Sequence, residues 1–592
     1  MEVKRLFDLI ANYLEKYPDK MDALAGKENG QWLKFGIKTF ADQVNNVSYG
    51  LMAMGFKKGD KIATLSNNRP EWNFLDLGML QIGCIHVPVY PTISANDLKY
   101  ILQDAEIKLV IVSDQQLWDK TNAAMAGLQI FSFDILAGKP HWSEITNKGI
   151  NNPKLEELST ISNTILSTDL ATLLYTSGTT GIPKGVMLSH DNIVSQLHAV
   201  WKLCPVGPEG RSLSFLPLNH VYERVLTYLY MFKGVSIYYA ESIEKVSDNL
   251  KEVQPHIFGC VPRLFERVYD RIVAKGTDLT GIKKAMFFWS LNLGLRYEIE
   301  GANGWWYELQ LSLARKLVFS KWREALGGNV KVAISGGAAL QPRLARVFWA
   351  AGIPLLEGYG LTETSPVIAV NTLEPGGLRF GTVGKALDKI TVKIAEDGEV
   401  LCKGPNIMLG YYKQPELTNE VIDKDGWFHT GDIGEIEDGV YLKITDRKKE
   451  IFKTSGGKYI IPQMLENKLK ESRFIEQAMV IGENQKYAAA FIVPAFVFVK
   501  DWAEKQGLKF NSNSELIAFK EVREKIKQEV ELLNSSLGNF ETIKKFELLP
   551  AEWTVDNGEL TPKLSLKRKV ILDKNKVLFE KIFYQVAASQ GS

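Results

Sequence analysis

Apolar positions along the first hundred residues alternate between two periods. Phe40, Val44, Val47, Leu51 and Met54 recur at helical spacing, and Gly55 follows as a stop signal. Lys61–Leu65 reads as a short strand. Pro70 then opens a helix carrying Trp72, Leu75, Leu77 and Leu80. Residues 84–89 read as a buried strand. Ser94 caps a further helix through Leu98, Tyr100, Ile101 and Leu102, and Leu109–Val112 is a strand again. Strand and helix in this alternation predict parallel sheets covered by helices, an α/β fold.

Two later stretches depart from that rhythm. Residues 275–328 hold Phe287, Phe288, Trp289, Trp305, Trp306, Tyr307, Phe319 and Trp322 with lysines and arginines between them. Such a stretch fits helices packing aromatics into a core, the wall of an apolar pocket, or a face touching a membrane. Residues 487–499 form the longest apolar run, interrupted by Pro494. It is shorter than the ~18 residues a bilayer span needs, and reads as strands of a core.

The 592 residues exceed the roughly 250–300 at which one core stops growing, so at least two domains are expected. The dense charge run 445–450 marks the division: a large, multi-sheet, layered N-terminal domain, 1–446, and a small α+β C-terminal domain, 447–592. Lys+Arg 71 against Asp+Glu 69 leaves a net charge of +2, which argues against a general nucleic-acid binder. Cys84, Cys204, Cys260 and Cys402 stand far apart and form no zinc pattern. The N-terminal stretch has acids and lysines where a signal peptide needs an apolar run. A cytoplasmic protein is expected, as monomer or homodimer, with peripheral membrane contact left open.

The strongest local chemistry lies in residues 175–186, YTSGTTGIPKGV. Thr176, Ser177, Gly178, Thr179, Thr180, Gly181 and Lys184 supply small hydroxyl donors, close backbone approach and a cation, which are the needs of a polyphosphate cradle. The spacing is not that of a Walker A loop, since Gly185 stands where Ser or Thr should follow the lysine. Further motifs follow in order. They are 216–224 with His220, 335–339 with Gly336, and 357–364 with Gly358, Tyr359, Gly360, Thr362 and Glu363. After them come 425–432 ending in Asp432, 446–450 with Arg447 and Lys449, 455–459 with Gly456 and Gly457, and 562–569 with Lys567.

Together these motifs resemble the signatures of the adenylate-forming (AMP-binding) enzyme superfamily over about residues 35–575. The forms at 220–223 and 261–267 resemble its long-chain fatty acid:CoA ligase branch. The resemblance implies the acyl-CoA synthetase fold with a mobile C-terminal lid. It also implies activation of a fatty acid by ATP to acyl-AMP, then transfer to CoA. The alternative is an acyl-AMP ligase that loads a separate carrier protein. On the same resemblance the 176–184 loop holds the β- and γ-phosphates, Thr362 donates to the α-phosphate and Glu363 binds Mg²⁺. Tyr359 stacks on adenine, while Asp432 and Arg447 serve the ribose. His220 orients the carboxylate, Lys449 is the pivot, and Gly456 and Gly457 meet the thiol acceptor. Lys567 is the adenylation lysine, with Arg568 and Lys569 as the other registers. Some relatives carry a gating tryptophan a few residues after the motif histidine; Arg224 occupies that neighbourhood here.

Overall fold

The computed structural model describes residues 2–177, 182–535, 537–538, 541–554, 557–561 and 566–584. Among these, the N-terminal part is built on two large sheets. The seven-stranded sheet runs Gly410–Tyr411, Pro183–Ser189, Leu170–Ser177, Ile85–Val89, Lys61–Leu65, Leu109–Val112, Gln129–Ser132. The nine-stranded sheet has a parallel centre through Leu24–Glu28, Ser236–Tyr239, Arg211–Ser214, Ile257–Cys260, Val332–Ser335 and Leu355–Gly360, with antiparallel strands at both edges. A layer of helices lies between the two sheets and shares one core with both. Helix Pro70–Gln81 belongs to that layer and is buried on almost every face, as an all-round apolar helix must be. Further helices cover the outer faces, among them Ala95–Asp104 on the first sheet and Pro342–Ala350 on the second.

The local expectations map closely onto this frame. The helix with Phe40 spans Ile37–Ala53, and Gly55 adopts φ +84° beyond it. Lys61–Leu65 and Leu109–Val112 are strands, and the Ser94 side chain caps Ala95–Asp104 by accepting from the Asp97 amide. Residues 487–499 differ from expectation. Ala488–Pro494 is a strand, but Phe496–Lys505 is a helix. Its buried positions Phe496, Val499 and Ala503 continue a helical period past the end of the apolar run.

A four-stranded antiparallel sheet, Thr391–Ile394, Glu399–Lys403, Phe428–Glu437 and Tyr441–Arg447, leads to the C-terminal part. Beyond it, a separate core begins at Phe452. That core packs helices on the three-stranded sheet Ile475–Ile481, Ala488–Pro494, Ile543–Leu548. Asp446 stands at the passage. Its buried carboxylate accepts from the Arg447 amide and from the Gln463 amide at the start of helix Pro462–Leu469, and burial pushes its pKa up to about 6. Among the described residues, no helix is long and apolar enough to cross a membrane.

A buried ionic cluster locks the middle helices to the seven-stranded sheet. Arg224 Nη2 lies 2.5 Å from Asp76 Oδ1, and its Nη1 donates to Thr172 Oγ1 at 2.7 Å. His86 Nδ1 is 2.6 Å from the same Asp76 oxygen, its Nε2 is 2.8 Å from Thr64 Oγ1, and the Tyr228 hydroxyl donates to Asp76. Asp76, His86 and Arg224 are wholly removed from solvent. Burial opposes ionisation of Asp76, but Arg224 and His86 outweigh it and hold the carboxyl below its usual range. Removing one member of such a pair strands the other charge, at a cost of about 3–5 kcal/mol. Asp76→Ala is therefore expected to lower stability by about that amount in denaturant titration, against a much smaller change for an exposed control such as Asp19→Ala.

Candidate active site

One cavity of about 2050 Å³ runs between the N-terminal sheets and the C-terminal lobe. Its polar limb is assembled by strand register. Thr176 faces Lys184 across the hairpin formed by Leu170–Ser177 and Pro183–Ser189, and both line the cavity. Gly178, Thr179, Thr180 and Gly181, at the hairpin tip, lie outside the described residues, and for Ser177 the structure describes only the backbone. Lys184 Nζ sits 5.4 Å from the Tyr411 ring centre. Burial, with the nearby Lys449 charge, depresses the Lys184 pKa. The Tyr411 hydroxyl donates to Glu363 Oε1 at 2.9 Å, and Glu363 also lines the cavity.

Gly358, Tyr359 and Gly360 end the strand Leu355–Gly360 and line the same limb, as do Thr362 and Gly336. A Cβ on Gly360 would stand 1.7 Å from the Pro366 carbonyl oxygen, so only glycine permits this approach. The Tyr359 hydroxyl donates to Asp432 Oδ2 at 2.7 Å. Asp432 and Arg447 are cross-strand partners, with Arg447 Nε 3.4 Å from Asp432 Oδ1. Burial raises the Asp432 pKa although Arg447 opposes it. Carboxylate, phenol and guanidinium thus form one small acceptor–donor group on the cavity wall.

His220 is the N-cap of helix Val221–Lys233; its Nδ1 accepts from the Tyr222 amide at 3.1 Å, and it lines the cavity. Below it the cavity turns apolar. Val225, Leu226 and Leu229, one face of that helix, line the cavity together with Ile257, Val332 and Ile334. Tyr222, whose ring lies 3.3 Å from where a Cβ on Gly336 would stand, also lines the cavity, as do Cys204 and Pro205. Residues 275–328 contribute nothing to the cavity wall. Phe287, Tyr307, Phe319 and Trp322 instead pack in a core with the nine-stranded sheet. Their periodicity could not reveal which face of that sheet they would cover. Arg224, the last residue of the 216–224 motif, is locked onto Asp76 and is no gate.

The C-terminal lobe adds Lys567, Lys569 and Lys449 to the lining. Arg568 lies between the two lysines but its guanidinium is committed. It donates to Glu466 at 2.7 and 2.9 Å and to Glu450 at 3.0 Å. Gly456 and Gly457 are in the turn between strands Phe452–Lys453 and Tyr459–Ile460, exposed and outside the cavity in this arrangement. Lys448, not singled out by the sequence, anchors the passage by pairing with Asp397 at 2.6 Å and Glu399 at 2.8 Å. Tyr411 was also missed, because nothing in its local sequence points to Glu363. Among the described residues, no group of three or more His, Cys, Asp or Glu could hold a metal unaided. Glu363 offers one carboxylate beside a lysine and a hydroxyl strand, which fits a cation held mainly by phosphate oxygens.

The family model of the AMP-binding enzymes matches residues 11–412, and that of the AMP-binding enzyme C-terminal domain matches 449–587. The chain belongs to the AMP-binding enzyme family. A long-chain-fatty-acid–CoA ligase of Mycobacterium tuberculosis is 32% identical over 92% of this chain and 92% of its own length. Long-chain-fatty-acid–CoA ligase 1 of Homo sapiens is 34% identical over 91% of this chain and 80% of its own. Among solved structures, the adenylation domain of a carboxylate reductase from Mycobacterium chelonae has a TM-score of 0.74 at 21% identity, covering 98% of this chain and 91% of that one. ATP-bound MatB from Rhodopseudomonas palustris has a TM-score of 0.70 at 22% identity, covering 97% and 99%. These two share the fold.

Two buried carboxyls flank the site. Glu357 accepts from the Leu340 amide at 2.9 Å, and burial raises its pKa to about 8; Glu223, beside Tyr222, is also pushed up to about 8 by burial. The native state holds these protons where an unfolded chain, with carboxyls near 4.5, has released them. Stability therefore falls as pH rises between those values, by up to about 1.4 kcal/mol per pH unit for each group. Glu357→Gln keeps the acceptor and is expected to flatten that slope between about pH 6 and about pH 8, read by denaturant titration at both.

Proposed function

We propose that this chain is an ATP-dependent long-chain fatty acid:CoA ligase. One observation carries the reading: a single cavity joins the polar limb at Lys184, Tyr359 and Asp432 to the apolar limb along Leu226 and Leu229. The substrate so described has an anionic head and a long hydrocarbon tail. The fatty acid carboxylate attacks the α-phosphate of ATP, forming acyl-AMP as pyrophosphate leaves. The CoA thiol then attacks the acyl carbonyl and AMP departs. Loading of a carrier protein is not favoured, since the curated relatives named above are CoA ligases.

The first step brings two anions together, so the site must neutralise charge. Lys184 and Thr176 hold the outer phosphates. Thr362 and Lys567 serve the α-phosphate, and Lys567 bridges it to the attacking carboxylate oxygen. Asp432 accepts from the ribose hydroxyls, with Tyr359 and Arg447 fixing its carboxylate. His220 orients the fatty acid head at the mouth of the apolar limb. Glu363 would hold Mg²⁺, which when bound supplies further positive charge to the phosphates. Residues 1–446 act as the body and 447–592 as a lid that turns at Arg447–Lys449. The arrangement described here has Lys567 at the cavity and Gly456–Gly457 outside it. The thiol step exchanges them.

Incubation with ATP, Mg²⁺, CoA and fatty acids of graded length, read by mass spectrometry, is expected to give acyl-CoA and AMP. Acyl-AMP alone would overturn the CoA reading, and no AMP with any fatty acid would overturn the fatty acid reading. Lys567→Ala is expected to abolish acyl-AMP formation yet spare thioester formation from supplied acyl-AMP. Equal loss of both steps would remove Lys567 from that role. Leu229→Trp fills the apolar limb and should shift the length profile towards shorter acids. Each methylene denied burial then costs about fourfold in kcat/KM, since it is worth about 0.8 kcal/mol.

A further inference from the structure

The helix Trp305–Ala314 and the π-helical turn Arg315–Phe319 that prolongs it have two unlike faces. The inner face is seated: Tyr307, Leu311, Ala314 and Phe319 are buried, and the Tyr307 hydroxyl donates to the Leu293 carbonyl at 2.7 Å. The outer face is apolar and exposed. Trp305 is 78% and Trp306 59% accessible, and Leu309, Leu313 and Leu317 follow at four-residue spacing, all exposed. That spacing holds them in one stripe, about 18 Å long at 1.5 Å per residue. A row of two tryptophans and three leucines in water is costly, and this one belongs to no cavity described above.

Charge around the stripe decides what covers it. Exposed Lys316 lies within it and exposed Lys321 just beyond. The helix Gly281–Leu295 packs against the same segment and brings exposed Ile282, Lys283 and Lys284 in its first turn. Arg315 and Arg323 are turned inward onto the Ala350 and Ala351 carbonyls, so the outward charge is chiefly lysine. The exposed acids of this region, Asp278, Glu300 and Glu324, lie outside the Trp305–Leu317 stripe, and half-buried Glu308 is the one acid within its span. Tryptophan with an apolar body and a polar N–H, leucines beneath it and lysines able to reach outward is the composition of a helix lying in a lipid headgroup layer. We propose that this stripe is a docking surface for an anionic bilayer, with the tryptophans inserted at headgroup level and the lysines against lipid phosphates. The proposal rests on surface chemistry alone and is independent of the catalytic reading.

Flotation of the full chain with vesicles tests it without turnover. The protein should float with phosphatidylcholine vesicles containing phosphatidylglycerol, less with pure phosphatidylcholine, and less with either as salt rises. Trp305→Ala with Trp306→Ala should weaken binding about tenfold or more. The melting temperature should not fall, because both rings are outside the core. Lys316→Glu with Lys321→Glu should abolish the preference for anionic vesicles. Absence of flotation, or equal flotation of the tryptophan variant, would overturn the proposal. So would a dimer, seen by sedimentation, that the tryptophan variant dissolves, since a second copy would then be the occupant.

Discussion

The Asp76–Arg224 pair is the fixed point of the N-terminal body. It sits where the middle helices meet the seven-stranded sheet, and it draws in His86, Thr172, Thr64 and Tyr228 from separate elements. Hydrophobic burial brings helices to sheets but is nearly indifferent to their axial position. A wholly buried ion pair is not indifferent, because a displacement of an ångström or two leaves a charge without its partner. Helix Val221–Lys233 is therefore held at one height and one rotation. His220 stands at its start and the wall of the apolar limb runs along its side. The site inherits its precision from a contact that touches no substrate.

Register does the same work on the nucleotide side. Asp432 and Arg447 lie far enough apart in sequence that no spacing rule links them, yet the antiparallel ladder makes them neighbours. Thr176 and Lys184 are brought face to face by their hairpin. Tyr359 then reaches Asp432 from a different sheet. Thr176, Tyr359 and Arg447 thus stand at or near strand ends and Asp432 in mid-strand, all with backbones tied into the sheets.

How much of this the sequence could tell follows from the range of the forces concerned. Helix Pro70–Gln81, strand Lys61–Leu65 and the Ser94 cap are written in local patterns and were legible. The motif residues were legible through resemblance, and most of them line one cavity. The Asp76–His86–Arg224 cluster was not legible, since nothing local marks which acid will meet which base across 148 residues. The aromatic stretch 275–328 could be read as core, pocket or surface because periodicity gives faces without giving their neighbours. The structure divides it between core and exposed stripe. Of the three basic residues 567–569, among which the resemblance favours Lys567, only Arg568 is set apart, since Glu450 and Glu466 hold it; Lys567 and Lys569 both line the cavity.

That middle contact also has a mechanical side. Glu450 lies at the C-terminal end of the charged passage, and Arg568 joins it to Glu466 within the C-terminal core. Lys448, two residues earlier, is tied instead to Asp397 and Glu399 of the preceding sheet. The passage is thus clamped on both sides, and a single residue, Lys449, lies between the two clamps. A joint so short behaves as an axle rather than a tether. On the proposed reading, in which the lobe turns between the two steps, such a joint allows rotation and denies wandering, so the lobe that carries Lys567 keeps a defined arc.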